Sequence, residues 1–510
     1  MPTPTTAKTI RSKDTTKKPT HGEELSELPF KENYPIAGTS VRLYDELQFD
    51  TRIGTLSFTH DFANGYPTTE TVEKLYDERD FQRACQIYLW ALPIVSFGEV
   101  PGVLMEAPGA TYGDIVRVDT VPAIQRFLTG NATTPYLMAW LNLEKSGPYV
   151  IEIPAGAAAG FVDDLWQRPV TDLGFPGPDK GQGGKFLLLG PSQTAPEGTQ
   201  GFIIVRSTTI NNLWLLRLLS PDAQQREAML AQIRLYPFSQ SATPPATKVL
   251  SLGGGASIAN APRGFAYWEK LARWIREEPV QERDRIMMGM LKSLGIEKGK
   301  PFNPDARMKK ILTEAALVGE AMAKANDFDK RQMDLAHYAD GVQWHFSLAL
   351  DPSQESKFYT QLDERAAWFY EASCTAAGMV SKTPGVGSVY LAAYKDKSGD
   401  WLDGAKSYRL PVPPNPPAKQ FWSITLYDVS TRALIKNGTD ITDRSSLQGL
   451  VKNEDGSVDL YFGPTPPKGF EKNWIPTVAG KAWFPYFRLY GPTEAHFNRT
   501  WVLPDFERVK

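Results

Sequence analysis

The 510-residue chain is short of the residue types through which most enzymes reveal themselves. It holds two cysteines, Cys85 and Cys374, and five histidines. Two thiols exclude a disulfide-stapled scaffold. Cys85 falls on the apolar stripe of a predicted helix and Cys374 in the alanine-rich YEASCTAAGM, so both read as buried free thiols. His21, His60, His337, His345 and His496 form no HExxH, HxH or Cys/His pattern, so no zinc motif exists and no cofactor is expected. A divalent metal has no motif to hold it, and Asp163-Asp164 reads as a turn. Eight positions separate His337 from His345, about 80° around a helix, which leaves joint ligation unforced. A Gly-x-Ser-x-Gly elbow is absent, removing the common sign of an α/β-hydrolase. An excess of one charge is also missing: 56 Lys+Arg against 58 Asp+Glu gives −2, whereas nucleic-acid binders carry a basic surplus. No apolar run approaches the about 18–20 residues of a bilayer span, so no integral membrane segment is expected. The Thr- and Lys-rich residues 1–28 lack the apolar h-region of a signal peptide and are too polar to bury a core. A disordered arm and, by default, a cytoplasmic protein are expected; a processed secreted or periplasmic chain would look the same.

Aromatics, by contrast, are plentiful: 13 Trp, 20 Tyr and 25 Phe within a 42% hydrophobic composition, ample for several cores. From Ser388 to Leu503 they sit in short β-like runs, SVYLAAYKD, AKSYRLPVP, KQFWSITLYD, GSVDLYFGP, KAWFPYFRLYGP and TWVLPD, broken by Gly, Pro and Asp. That pattern predicts an antiparallel sandwich or barrel. Earlier, Phe81, Ala84, Cys85, Tyr88, Leu89 and Leu92 recur at helical spacing after a Thr68 or Thr69 cap, with Pro93 expected to end or kink the helix. Residues 100–220 hold five strand candidates, IVRVD, TPYLMAWLNL, PYVIEIP, KFLLLGP and GFIIVRSTT. Helices are expected at Asp222–Leu235, Phe265–Glu277, Pro279–Leu294, Pro304–Lys324 and Asp363–Thr375, with Met287, Met288 and Met290 as core filler.

The stretches LYDERDFQRACQIYLWALP, GPDKGQGGKFLLLGP, AYKDKSGDWLDGAKSYRLPVPPNPPAKQFWSITLYD, TRALIKN, RSSL, DGSVDLYFGP and WFPYFRLYGP resemble one family. It pairs two domains of unknown function, numbered 1254 and 1214, and the resemblance spans roughly residues 45–509. It implies a multidomain α+β protein: an immunoglobulin-like β-sandwich, a helical domain and a jelly-roll-like C-terminal sandwich. The divisions expected are 1–28, 29–220, 221–380 and 381–510. Members often carry export signals, from which this chain departs.

Chemistry has few footholds. The loop LGFPGPDKGQGGKFLLLGP, with Lys180 and Lys185, offers backbone N–H groups to a phosphate, yet Phe186 follows Lys185 where a Walker loop needs Ser or Thr; a structural hairpin is the better reading. The densest polar–aromatic set is C-terminal. Asp403 and Asp396, with Glu99, are candidate acid–base carboxylates. Trp401, Lys406, Arg432, Arg444, Trp474, Arg488 and Tyr490 are candidate substrate contacts, because aromatic faces stack on sugars and guanidinium groups bind anions. The expected function is a hydrolase or lyase acting on a small polyhydroxylated or anionic substrate in an interdomain cleft. The rivals are a non-catalytic carbohydrate or phospho-ligand binder and a structural or interaction protein. A homo-oligomer is compatible with the strand edges, and no nucleic-acid partner is expected.

Overall fold

The computed structural model describes residues 47–509, apart from Gln332 and Ser381; the arm expected over 1–28, with His21, lies outside the described residues. Two compact units divide at Asp80/Phe81. In the first, the hairpin strands Gln48–Thr51 and Gly54–Ser57 pair antiparallel, and Phe49 stacks on Phe58 with ring centroids 5.7 Å apart. A helix, Thr69–Phe97, begins in this unit, its first turn capped by the Thr68 hydroxyl, which accepts the Thr71 N–H at 3.3 Å.

That helix does not stop at Pro93, as the sequence led us to expect. A proline lacks one donor, the one that would reach the Leu89 carbonyl, yet side chains bond the backbone around it and the helix continues. Gln167 Nε2 donates to the Pro93 carbonyl at 2.8 Å, and Ser96 Oγ donates to that of Leu92 at 2.8 Å. Ile94, Val95 and Phe97, beyond the proline, are fully packed. The run Thr69–Leu104 reaches a mean hydropathy of 1.5, long and apolar enough to cross a membrane, contrary to expectation. However, 89% of that window is buried inside the protein, which accounts for its being apolar all round.

The second unit, from Phe81 onward, is mixed α+β with β-sandwich-like pairs of sheets. One six-stranded sheet runs in the order Val249–Ser251, Ile115–Val118, Tyr136–Asn142, Asn211–Leu218, Ala158–Asp164, Pro169–Gly174. It faces a four-stranded sheet of Arg234–Pro237, Tyr149–Ile153, Gly184–Leu189 and Ile203–Arg206, with Leu137, Ile151, Phe186, Leu188, Trp214 and Leu216 between them. The central strand Asn211–Leu218 is absent from the alternation-based expectation for a physical reason. Trp214 and Leu216 fill the inter-sheet core while Leu213 and Leu215 pack against the helices. A strand buried on both faces shows no alternation. Nor does the expected Asp222–Leu235 helix run its full length: it ends at Leu230, and Arg234–Pro237 joins the four-stranded sheet.

Helices Ala266–Glu277, Arg285–Ser293, Ala306–Phe328 and Leu362–Glu371 follow. His337 and His345 do not share a helix. They face one another across an isolated antiparallel bridge, because the chain turns back at Gly341 with φ +74°.

The C-terminal strands form a five-stranded sheet in the order Trp344–Phe346, Ser388–Ala393, Trp483–Pro492, Ala418–Asp428, Asp443–Ser445. Against one of its faces lies a four-stranded sheet of Trp474–Pro476, Val458–Gly463, Ser407–Val412 and Glu507–Val509. TWVLPD is not a strand as expected. Trp501 and Leu503 plug the core as irregular chain, and the closing strand comes later, at Glu507–Val509.

Candidate functional site

Period-two geometry gives the five-stranded sheet two unlike faces. Leu391, Ile424, Leu426, Phe487 and Leu489 line the face toward the four-stranded sheet. The alternate positions, Tyr390, Tyr394, Thr425, Tyr427, Tyr486, Arg488 and Tyr490, point the other way. There they meet residues of the 129–136 segment, the Asn211–Leu218 strand and the helices.

At one end of this seam are two guanidinium groups. Arg488, 2% exposed, donates to Thr425 Oγ1 at 3.0 Å, the Thr129 carbonyl at 3.1 Å and the Tyr427 hydroxyl at 2.7 Å. Its plane lies 5.2–5.8 Å from the rings of Tyr390, Tyr427 and Tyr486. Arg217 approaches the rings of Tyr136 at 5.4 Å and Tyr490 at 5.8 Å, and its guanidinium donates to Thr134 Oγ1. Neither arginine makes an ion pair with a carboxylate among the described residues, and the Nε of each is buried without a hydrogen-bond partner. Asn131 donates to the Tyr490 hydroxyl, while Phe421 stacks on that ring at 4.1 Å. Asn131 is 2% exposed. Tyr136, Arg217 and Tyr390 keep partial exposure, and solvent reaches this end.

At the other end are two carboxyls and one ammonium. Lys330 Nζ donates to Asp327 Oδ1 at 2.6 Å, with both side chains almost wholly buried. Glu371 accepts the Tyr394 hydroxyl at 2.7 Å on one oxygen and the Tyr486 hydroxyl on the other. The Glu371 carboxyl is also in hydrogen-bond contact with Asp327, whose Oδ2 has no other donor. Burial first, and the Asp327 charge second, push Glu371 well above the usual carboxylate range. Burial raises Asp327 as well, against the Lys330 ammonium, which lowers it. Arg432 stands nearby in left-handed backbone (φ +57°), donating from Nε to the Tyr370 carbonyl at 3.0 Å over the Tyr370 ring. Tyr486 joins the ends, its hydroxyl on Glu371 and its ring against Arg488.

Of the residues singled out from sequence, Arg432, Arg488 and Tyr490 come together here. Arg444 belongs to the edge strand but alternates to the opposite face, where its guanidinium donates to the Asp443 carbonyl at 3.0 Å. Trp474 donates to the Gly463 carbonyl at 2.9 Å in the other sheet. Asp396, Trp401, Asp403 and Lys406 form a separate loop beside the C-terminal strand. Asp396 Oδ1 accepts the Ser398 N–H at 2.9 Å and its Oδ2 contacts Arg508 at 3.2 Å. Asp403 Oδ1 accepts the Ala405 N–H at 2.9 Å, Lys406 is 3.7 Å from its other oxygen, and Trp401 is half exposed beneath Lys395. Glu99 pairs with Lys270 at 2.8 Å, away from both groups. In the glycine-rich loop the backbone donors already have an anion: Asp179 Oδ1 accepts the Gly174 N–H at 2.9 Å, and the Gly181 and Gly183 N–H groups also bear on its carboxylate. Lys185 pairs with Glu152 at 3.0 Å and Lys180 faces solvent. Asp163 and Asp164 receive the Thr375 N–H and Arg168 N–H at 3.1 and 3.0 Å, ending a strand. Among the described residues no group of three metal-ligating side chains exists. A cleft lined by Trp90, Trp166, Glu278 and Asp284 has room for about one water, ≈ 10 Å³. Sequence reasoning missed Asn131, Tyr136, Arg217, Asp327, Lys330 and Glu371, which come from segments up to 359 positions away from their partners.

Two family profiles match within this architecture. The one described as a protein of unknown function (DUF1254) covers residues 114–237, and the one described as a protein of unknown function (DUF1214) covers 387–494. The chain carries both, in that order. The seam joins the two DUF regions, since Asn131 and Arg217 lie in the first and Tyr390, Tyr427, Arg488 and Tyr490 in the second. Among solved structures, the VPA0106 protein of Vibrio parahaemolyticus is similar at TM-score 0.54 and 15% identity, over 84% of this chain and 100% of its own. That likeness is one of fold. An uncharacterised Burkholderia cenocepacia protein aligns at TM-score 0.38 and 12% identity, over 87% of this chain and 97% of that one. No curated protein matches the chain.

Proposed function

We propose that the DUF1254–DUF1214 seam is the active site of a hydrolase or lyase acting on a small, polyhydroxylated anion. The observation that carries this reading is the pairing, on one sheet face, of two guanidinium groups lacking carboxylate partners with two fully buried carboxyls, Glu371 and Asp327, in contact with each other. Arg217 and Arg488 bind the anionic group, and the tyrosine hydroxyls and ring faces receive hydroxyls and apolar sugar faces. The Glu371–Asp327 pair supplies or withdraws a proton, with Tyr486 between it and the ligand. In the same reading the N-terminal pair of sheets is immunoglobulin-like and the C-terminal pair jelly-roll-like. Their non-sequential strand orders and mostly antiparallel neighbours support this.

One observation favours a second reading. Asp327 and Glu371 are 0% exposed, so a ligand on Arg217 and Arg488 need not reach them, and the protein then binds without turnover. Thermal unfolding of the whole chain with sugar acids, sugar and inositol phosphates and neutral sugars tests the proposal. A true ligand at 100 times its dissociation constant adds about 2.7 kcal/mol, a shift of a few degrees, and Arg217→Gln removes it. Incubating the stabilising compound with the protein then separates enzyme from binder by the presence of product. A panel in which neutral sugars stabilise as well as acids, or nothing does, overturns the anion site.

A further inference from the structure

We infer that the ligand of the seam carries two negative charges, one for Arg217 and one for Arg488, making it a dicarboxylate or a phosphate monoester. The inference rests on the anion-site reading and names the substrate class within it. Arg488 faces Tyr390 directly across the ladder between Ser388–Ala393 and Trp483–Pro492, and the next pair on that face is Ser388 with Tyr490. The guanidinium of Arg488 lies 5.4 Å from the Tyr390 ring, and that of Arg217 lies 5.8 Å from the Tyr490 ring. The two cations therefore flank neighbouring tyrosines, within the span of one small molecule.

Their hydrogen-bond partners in the protein are all neutral: hydroxyls of Thr134, Thr425, Tyr427 and Tyr490, and the Thr129 carbonyl. An Nε–H on each arginine is left over, buried and unbonded. Asp443 is the acidic group on the same face. Its Oδ2 accepts the Thr133 hydroxyl at 3.2 Å, and it forms no ion pair with either arginine. Two cations hydrogen-bonded only to neutral groups, with Asp443 acting on Arg488 from beyond ion-pair distance, are matched by two negative charges on one ligand. A monoanion leaves one of them uncompensated.

The test is calorimetric titration of the full chain at pH 7.5 with succinate, with succinamate (the same skeleton with one carboxylate replaced by an amide) and with glycerol 3-phosphate. Succinate or glycerol 3-phosphate should bind at least about tenfold more tightly than succinamate, the worth of one charge-assisted hydrogen bond, and the tighter of the two identifies the acid group. Arg217→Gln, whose folding is checked by circular dichroism, should reduce that ratio below about twofold by equalising the two ligands. Affinity for succinamate equal to that for the tighter of the two dianions in the unmodified protein overturns the two-charge inference while leaving an anion site. A ratio unchanged by Arg217→Gln places the second charge elsewhere and overturns it too. Binding of none of the three overturns both the inference and the anion site beneath it.

Discussion

Glu371→Gln should stabilise this protein near neutral pH and flatten its pH dependence. The ordinary value of a glutamate is 4.5, and in the fold burial and the Asp327 charge hold Glu371 well above it. Above pH 4.5 the unfolded chain releases this proton while the folded chain keeps it. The unfolded state thus binds fewer protons, and stability falls by about 1.4 kcal/mol per pH unit until the folded value is passed. Each pH unit between 4.5 and the folded value therefore costs the wild type stability at this position. Glutamine is neutral in both states and carries no such slope. Its Nε2–H donates to Asp327 in place of the proton, and its Oε1 accepts one tyrosine; the other tyrosine hydroxyl loses its acceptor, at a cost of about 1 kcal/mol. The variant should therefore be slightly weaker at pH 5 and gain on the wild type as the pH rises toward 7. Asp327→Asn must behave oppositely. It strands the Lys330 ammonium, which is 0% exposed, and costs about 3–5 kcal/mol. Urea midpoints read by tryptophan fluorescence from pH 5 to 8 give both results. A Glu371→Gln protein with the wild-type slope, or one as damaged at pH 7 as Asp327→Asn, refutes the upward shift of Glu371.

Arg488→Leu removes donors to Thr129, Thr425 and Tyr427 and should lower stability by about 2–4 kcal/mol; an unchanged melting temperature shows that the seam does not rely on it. Asp179→Ala should cost about 1–3 kcal/mol by freeing the glycine-rich loop, while Lys180→Ala and Lys185→Ala stay within about 0.5 kcal/mol in the same melting assay. If the lysines matter more than the aspartate, the loop has the phosphate-binding character that its composition suggests. His345 is pushed down to about 4 by burial. As pH falls below 6.5 the unfolded chain takes up its proton and the folded chain does not, so stability drops by up to about 1.4 kcal/mol per unit; His345→Gln should remove that share of the acid sensitivity in urea midpoints taken at pH 7 and 4.5.

The C-terminal sheets were legible because their strands expose each face to a different environment. In SVYLAAY, SITLY and YFRLY the alternation of tyrosine with aliphatic residues assigns Tyr390, Tyr394, Tyr427, Tyr486 and Tyr490 to one side before any partner is known. Asn211–Leu218 was not legible, since Trp214 and Leu213 both need an apolar neighbour and the strand reads as an unbroken run. The same limit hid half of the site. Arg217 closes that unbroken run, Lys330 sits in a polar turn, and Glu371 ends an amphipathic helix. Each reads locally as a solvated charge, and only the folded contacts, Arg217 with Tyr490, Lys330 with Tyr394 and Glu371 with Tyr486, reveal their setting. Asp403 and Lys406 mislead in the opposite sense. They stand close together among aromatics in the sequence, yet they serve the geometry of one loop.

The five-stranded sheet contains its own control. Its two faces are built from the same strands and are comparably buried. Toward the four-stranded sheet they present Leu391, Ile424, Leu426, Phe487 and Leu489, all essentially inaccessible, which is how a sheet is stabilised when nothing but packing is required. One residue further along each strand come Tyr390, Thr425, Tyr427, Tyr486 and Arg488, met by Arg217, Asp327, Lys330 and Glu371. Replacing buried ionic groups by well-packed apolar ones is often neutral or stabilising by about 1–4 kcal/mol, so stability alone gives no reason for the second face. Departures from the apolar solution concentrate where a protein has a use for them. That contrast, drawn within one sheet, is the reason to direct ligands and mutations at this seam before the loop around Asp403, where every charge already has a local partner.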